Sequence, residues 1–158
     1  MLVINYRERL YYHIRRIVIL HEDADDALQN SFIKIWKNLD NFRSDSSLFT
    51  WLYRIATNEA LTLIKRRKRD NGNYIDSVEL IFASSEEGDQ YFDGDEAERI
   101  LRNAILKLPL KQRIVFEMKY YEDLDYNEIS RIVGTSVGAL KASYHHAVKK
   151  IEDFIEHR

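Results

Sequence analysis

One proline, Pro109, and five glycines are the only strong chain breakers in 158 residues, and that scarcity restricts the fold more than any other feature of the sequence. Strands joined by tight turns need frequent punctuation, whereas long helices do not. Leu, Ile, Ala, Glu, Lys and Arg are abundant, which favours helices further. The expected fold class is therefore all-α, as one medium domain or two small ones. No apolar run approaches the length of a membrane span. Arg7 and Arg9 lie inside an amphipathic pattern, so the start does not read as a signal peptide. Without cysteine there is no disulfide framework, thiol nucleophile or thiolate metal site. A soluble cytoplasmic protein is the simplest expectation.

The net charge of −2 conceals a sorted distribution. Residues 1–69 carry +5, residues 70–98 carry −10 with no Lys or Arg, and residues 99–158 carry +3. Two basic blocks flanking an acidic segment suggest polyanion-binding domains joined by an acidic connector.

Helical periodicity locates the elements. Ile4, Leu10, Ile14, Ile17 and Val18 give residues 4–20 an apolar stripe. Asp23 is positioned to cap a second helix, whose inward face reads Ala24, Ala27, Leu28, Ser31, Phe32, Ile35, Trp36 and Leu39. Ser46 or Ser47 can cap a third helix from Leu48 to about Arg69, with Leu52, Ile55, Ala56 and Leu63 buried. Glu59 falls near that stripe, against the pattern. Residues 70–95 hold three of the glycines and most of the acids and read as a linker. Helical spacing returns from about Glu96, and Pro109 breaks it. A helix from about Leu110 to Tyr121 follows. Asp125 with Glu128 forms a capping-box signal for a short helix ending at Gly134, and Thr135 or Ser136 caps a last helix to about Ile155.

The short helix Tyr126–Val133, the turn at Gly134 and the helix from Val137 make a helix-turn-helix pattern. The outward side of the second helix offers Gly138, Lys141, Ala142, His145 and Lys149. Small residues let the backbone approach DNA, while Lys141 and the histidines reach phosphates or base edges. Ser136 starts the helix, where free N–H groups can face a phosphate. His145 and His146 read as a DNA-facing pair rather than a metal site, because adjacent helical residues point about 100° apart.

FRSDSSLFTWLYRIATNEALTLIKRRKR (Phe42–Arg69) interleaves Phe42, Phe49, Trp51 and Tyr53 with Arg43, Arg54 and the run Lys65–Arg69. Such a mixture suits single-stranded nucleic acid, since rings stack on bases and cations hold phosphates. Trp51 taken alone reads more readily as a core residue than as a stacking one. Arg54, Asn58, Leu61 and Lys65 share one helix stripe.

DADDALQNSFIKIWKNLDNF (Asp23–Phe42), followed by WLYRIATNEA (Trp51–Ala60), resembles region 2 of the extracytoplasmic-function sigma factors of the sigma-70 family. LPLKQRIVFEMKYYEDLDYNEISRIVGTSVGALKASYHHAVKKI (Leu108–Ile151) resembles their region 4. The resemblance implies a region 2 helical bundle over 1–69, an acidic linker over 70–95 and a region 4 helix-turn-helix domain over 96–158. It implies a sigma subunit that directs RNA polymerase to promoters, and neither an enzyme nor a cofactor protein. The helix at Asp23–Leu39 would dock on the polymerase β′ coiled coil through Asp26, Gln29, Asn30, Ile33 and Lys37. The loop Phe42–Thr50 would form a pocket for a flipped −10 base, and Asn58 stands at the family's characteristic asparagine. Phe42, Arg43, Ser44, Phe49, Trp51, Arg54, Asn58, Lys65, Arg66 and Arg69 are then the −10 candidates, within a run Lys65–Arg69 that holds phosphates. Ser136, Gly138, Lys141, Ala142, His145, His146 and Lys149 are the −35 candidates. The implied partners are core RNA polymerase (β′ coiled coil and β flap), promoter DNA and an anti-sigma factor. Two departures stand out: the family usually has a further stretch before Tyr6, and it often carries arginine where His146 stands.

Three other classes compete. A helix-turn-helix regulator would need DNA-binding symmetry or a ligand pocket; no dimer seam is evident, and the WLYRIATNEA stretch argues against it. A small helical hydrolase lacks a glycine-rich phosphate loop, an H-E-x-x-H motif and any nucleophilic constellation. A polymerase-binding adaptor without DNA contact would differ from a sigma factor in binding polymerase without supporting promoter transcription.

Overall fold

A computed structural model of the chain describes residues 2–43, 47–71 and 95–158. Ser44, Ser46 and nearly all of the expected linker lie outside the described residues. The described residues contain helices and no strand, and they form two compact units.

The first unit is built on α1 (Leu2–Val18), α2 (His21–Asn38), a 3-10 turn (Leu39–Asn41) and α3 (Leu48–Asn71), with each long helix packed on the other two. Leu10, Ile14, Ile17 and Val18 of α1 are buried with Ala24, Ala27, Leu28 and Ile35 of α2 and with Leu52, Ala56, Ala60, Leu63 and Ile64 of α3. Ile4, expected on the same stripe, is exposed. Polar residues on the inner faces are bonded. Ser31 Oγ donates to the Ala27 carbonyl at 2.7 Å, and His13 Nε2 lies 2.7 Å from Thr57 Oγ1, tying α1 to α3.

The break between α1 and α2 carries no glycine. Ile19 turns the chain with φ 76°, a left-handed conformation that costs an L-residue roughly 1–2 kcal/mol. Its side chain is 3% exposed, and burying an isoleucine contributes about 1.5–3 kcal/mol. Burial therefore offsets the strain. Helix α2 starts after Leu20, with no side-chain cap. The expected cap, Asp23, instead sits in the first turn, buried, where Oδ1 accepts from Arg67 Nη2 at 2.9 Å. Helix α3 starts as expected: Ser47 Oγ accepts from the Thr50 N–H at 3.1 Å.

The second unit is built on α4 (Glu96–Leu106), α5 (Leu110–Tyr120), α6 (Tyr126–Val133) and α7 (Val137–Glu156), with α4 and α5 packed on α7. Ala104, Ile105, Leu108, Phe116, Ala147 and Ile151 form its core. Helix starts here are marked locally. Asp95 accepts from the Glu98 N–H at 3.0 Å, Asp125 from Glu128 at 2.8 Å and Ser136 from Ala139 at 3.3 Å. Pro109 precedes α5. Gly134 closes α6 in the left-handed region, with φ 75°, where a Cβ would be strained.

Candidate nucleic-acid interface

The sequence patterns that make the helices also decide which side chains they display. On α7, the residues at helical spacing opposite Leu140, Ala147 and Ile151 face away from the core. Gly138, Lys141, Ala142, His145, His146 and Lys149 are all exposed, as is Ser136 at the helix start. The face is basic and has low relief at Gly138 and Ala142. The His145 and His146 rings lie 6.0 Å apart. No group of His, Asp and Glu among the described residues is placed to hold a metal ion.

Tertiary structure adds a residue to this face that sequence spacing did not connect with it. Lys119 near the end of α5 places Nζ 4.8 Å from the centre of the Tyr126 ring, and Lys141 of α7 places Nζ 5.9 Å from the same ring. Cations attracted to a ring face are held in place by its quadrupole. Tyr126 also meets Tyr144 edge-on at 6.4 Å. Burial, then the neighbouring Tyr126 and Tyr120, push the Tyr144 phenol above its ordinary value, so it stays neutral.

On the first unit, α3 and the residues before it carry the aromatic and basic set. Phe42 and Trp51 are half-buried, with ring centres 5.1 Å apart. Phe49 lies 4.1 Å from Tyr53, and the Arg9 guanidinium lies 4.9 Å from its ring centre. Tyr53 is buried and contacts His13, so it belongs to the core rather than to a stacking surface. Arg43, Asn58, Lys65, Arg66 and Arg69 are exposed, and Arg54 is half-buried. Arg69 pairs with the adjacent Asp70 at 3.5 Å. Arg67, inside the basic run, turns the other way, to Asp23. Glu59, which the stripe left unexplained, is 7% exposed and forms an ion pair with Lys34 of α2. A lysine reaching from a neighbouring helix is what makes a buried carboxylate tolerable there.

Helix α2 presents a third face. Asp26, Gln29, Asn30, Ile33 and Lys37 are all exposed. Trp36, expected inward, is 80% exposed, and Leu39 also reaches solvent. Trp36 stands one position beyond Ile35, at the edge of a stripe already filled by smaller residues. With Gln29, Ile33 and Lys37 it lines a shallow open hollow that Arg7 of α1 also borders. An exposed tryptophan beside an exposed isoleucine is an apolar patch of the kind that partners cover.

Comparison with known proteins gives these faces a context. Residues 2–70 match the family described as Sigma-70 region 2, and residues 98–151 match Sigma-70, region 4. The chain is similar to the ECF RNA polymerase sigma factor SigW of Bacillus subtilis, 32% identical over 150 residues that cover 89% of this chain and 79% of that protein. It is also similar to the RNA polymerase sigma-H factor of Pseudomonas aeruginosa, 28% identical over 164 residues that cover 99% of this chain and 85% of that one. Among solved structures, the sigma factor RpoE of Bartonella quintana, in complex with the anti-sigma factor NepR, aligns with a TM-score of 0.75 at 21% identity, covering 98% of this chain and 94% of that one.

Proposed function

The chain belongs to the extracytoplasmic-function sigma factors of the sigma-70 family, and on that premise we propose how its two units divide promoter recognition. As a sigma factor it initiates transcription at specific promoters and performs no bond chemistry of its own. It works with core RNA polymerase and promoter DNA. The first unit captures unpaired −10 bases: Phe42 and Trp51 wall a base pocket with Phe49 and Arg43 around it, Ser44 (outside the described residues) is a further candidate for the same base, and Arg54 and Asn58 meet the neighbouring strand. Lys65, Arg66 and Arg69 hold its phosphates. The second unit reads the −35 duplex through Ser136, Gly138, Lys141, Ala142, His145, His146 and Lys149, with Lys119 and Tyr126 on the flanking backbone. Asp26, Gln29, Asn30, Ile33 and Lys37, with Trp36, meet the β′ coiled coil, and the second unit meets the β flap. Residues 70–95 are an acidic linker between domains 1–69 and 96–158. No helix among the described residues is long and apolar enough to cross a membrane, and the protein acts in the cytoplasm. An anti-sigma factor holds it inactive, as one accompanies the Bartonella relative.

The observation that carries the reading of α7 is the exposure of all seven −35 candidates on a basic, low-relief side of one helix. The energetics explain why polymerase is needed. Unstacking a base costs a few kcal/mol, and an aromatic pocket returns about 1–3 kcal/mol per base. One pocket cannot open a promoter, so polymerase contacts and the duplex-bound second unit supply the remainder. Run-off transcription with core polymerase on a promoter library tests the division. Asn58→Ala should change base preference at the upstream part of the opened region. Lys141→Ala should weaken the distal duplex contact. The same uniform loss from both variants would refute it.

A further inference from the structure

The basic run Lys65–Arg69 does not present five equivalent cations. Successive residues on a helix turn by about 100°, so Arg67 points roughly 200° away from Lys65, toward α2. There its Nη2 donates to Asp23 Oδ1 at 2.9 Å, and the Asp23 side chain is 3% exposed. Lys65, Arg66, Lys68 and Arg69 are exposed, whereas Arg67 is not fully so. About two turns earlier on α3, or ~12 Å along the axis, Glu59 meets Lys34 of α2. The two pairs have opposite polarity: acid on α2 with base on α3 at one end, base on α2 with acid on α3 at the other. Sliding α3 by one turn would part both. Reversing its direction would bring Asp23 toward Glu59 and Lys34 toward Arg67, like against like.

Accepting the strand-binding role argued above for α3, we infer that Arg67 is a positioning residue and not a phosphate contact. The Asp23–Arg67 and Lys34–Glu59 pairs fix the rotation and register of α3 on α2. Glu59, held inward, keeps its neighbour Asn58 outward, on the same stripe as Lys65. The cations left for the strand are those on the far side of α3 from Asp23.

Salt dependence of the full chain binding a 20-nucleotide oligothymidylate counts the phosphates held, because each phosphate neutralised contributes about 0.7 to the slope for single strands. Lys65→Gln and Arg66→Gln should each lower the slope by about 0.7, and Arg67→Gln should leave it unchanged. The exchange Asp23→Arg with Arg67→Asp keeps the pair with its polarity reversed and should likewise leave the slope unchanged, which decides the matter even if Arg67→Gln folds poorly. A loss of slope in Arg67→Gln equal to that in Lys65→Gln, or a loss of that size in the Asp23→Arg, Arg67→Asp exchange, overturns the inference. A slope unmoved by Lys65→Gln and Arg66→Gln as well is a different pattern; it removes the strand-binding role of the run and this inference with it. For the second pair, holoenzyme run-off on the promoter library is the readout. Lys34→Gln should shift base preference at the position Asn58 reads, and the double exchange Lys34→Glu with Glu59→Lys should restore it. A uniform loss across all promoters would mean that the pair only stabilises the fold, and would overturn its positioning role.

Discussion

The two units hold their helices in different ways. In the second, the residues at each boundary do the work: Asp95, Pro109, Asp125 and Ser136 start helices and Gly134 ends one. In the first, among the described residues, α3 starts on such a signal and α2 does not. The turn between α1 and α2 depends on a strained but buried Ile19, α2 begins without a cap, and α2 and α3 are joined by ion pairs between residues 25 to 44 positions apart. Local signals fix where a helix begins without reference to anything else in the fold. Distant pairs fix how one helix lies on another. The unit assigned to hold a melted strand uses the second device: its strand candidates lie on α3 and the residues just before it, and α3 is set in place by its pairs with α2. The unit assigned to the duplex needs mainly one straight helix presented outward.

Removing a distant pair should therefore hurt more than removing a local signal. Arg67→Ala leaves the Asp23 carboxylate buried with its guanidinium gone, and about 3 kcal/mol of stability should be lost in denaturant unfolding of the first unit. A loss under about 1 kcal/mol would class the pair with surface ion pairs and erase the contrast. Gly134→Ala should cost the second unit roughly 1–2 kcal/mol, from the left-handed φ alone; a Cβ there would meet nothing within 4 Å, so a larger loss would reveal a packing role. Trp36→Ala should change stability by less than about 0.5 kcal/mol, because the ring is 80% exposed. The same variant should bind core polymerase more weakly, and unchanged binding would remove the ring from that contact.

The last expected effect is invisible at neutral pH. Burial pushes the Tyr121 phenol from 10.0 up to about 12, against an opposing pull from Arg102, whose guanidinium lies 5.6 Å from its ring centre. An acid with a raised value in the fold is favoured there in its neutral form. The associated stability is fully present below pH 10, falls as pH rises from 10 to about 12, and is absent above. Alkaline unfolding of the second unit should therefore flatten over that window in Tyr121→Phe. An identical alkaline profile would mean that the phenol is as free in the fold as in the unfolded chain.

What could be read in the sequence follows the same divide. Asp125, Gly134 and Ser136 announce their helix ends within three residues, so α6 and the start of α7 were legible, and with them the exposed side of α7. The helical period gave Leu52, Ala56 and Leu63 their buried places. It misplaced Ile4 and Trp36, because a period says which residues share a side and not how wide a side the neighbours cover. It assigned Asp23 to a cap because nothing nearby reveals Arg67, 44 residues on. Glu59 had no explanation until Lys34 was beside it, and Lys119 joined the α7 face only when α5 was placed. The break at Ile19 carries no glycine to mark it. Pairings between helices, and strain held by burial, leave no trace in local spacing.

The open space around Gly138 has an evolutionary consequence. A side chain grown there would touch nothing within 4 Å, and Ala142 one turn further along is likewise at the surface. On the proposed −35 role of α7, these two sites can acquire new donors or acceptors while every buried neighbour keeps its shape. Descendants of this gene could thus change the promoters they command in single steps, each viable as a folded protein, and a laboratory selecting for an orthogonal transcription system would find its first useful variants at the same two codons.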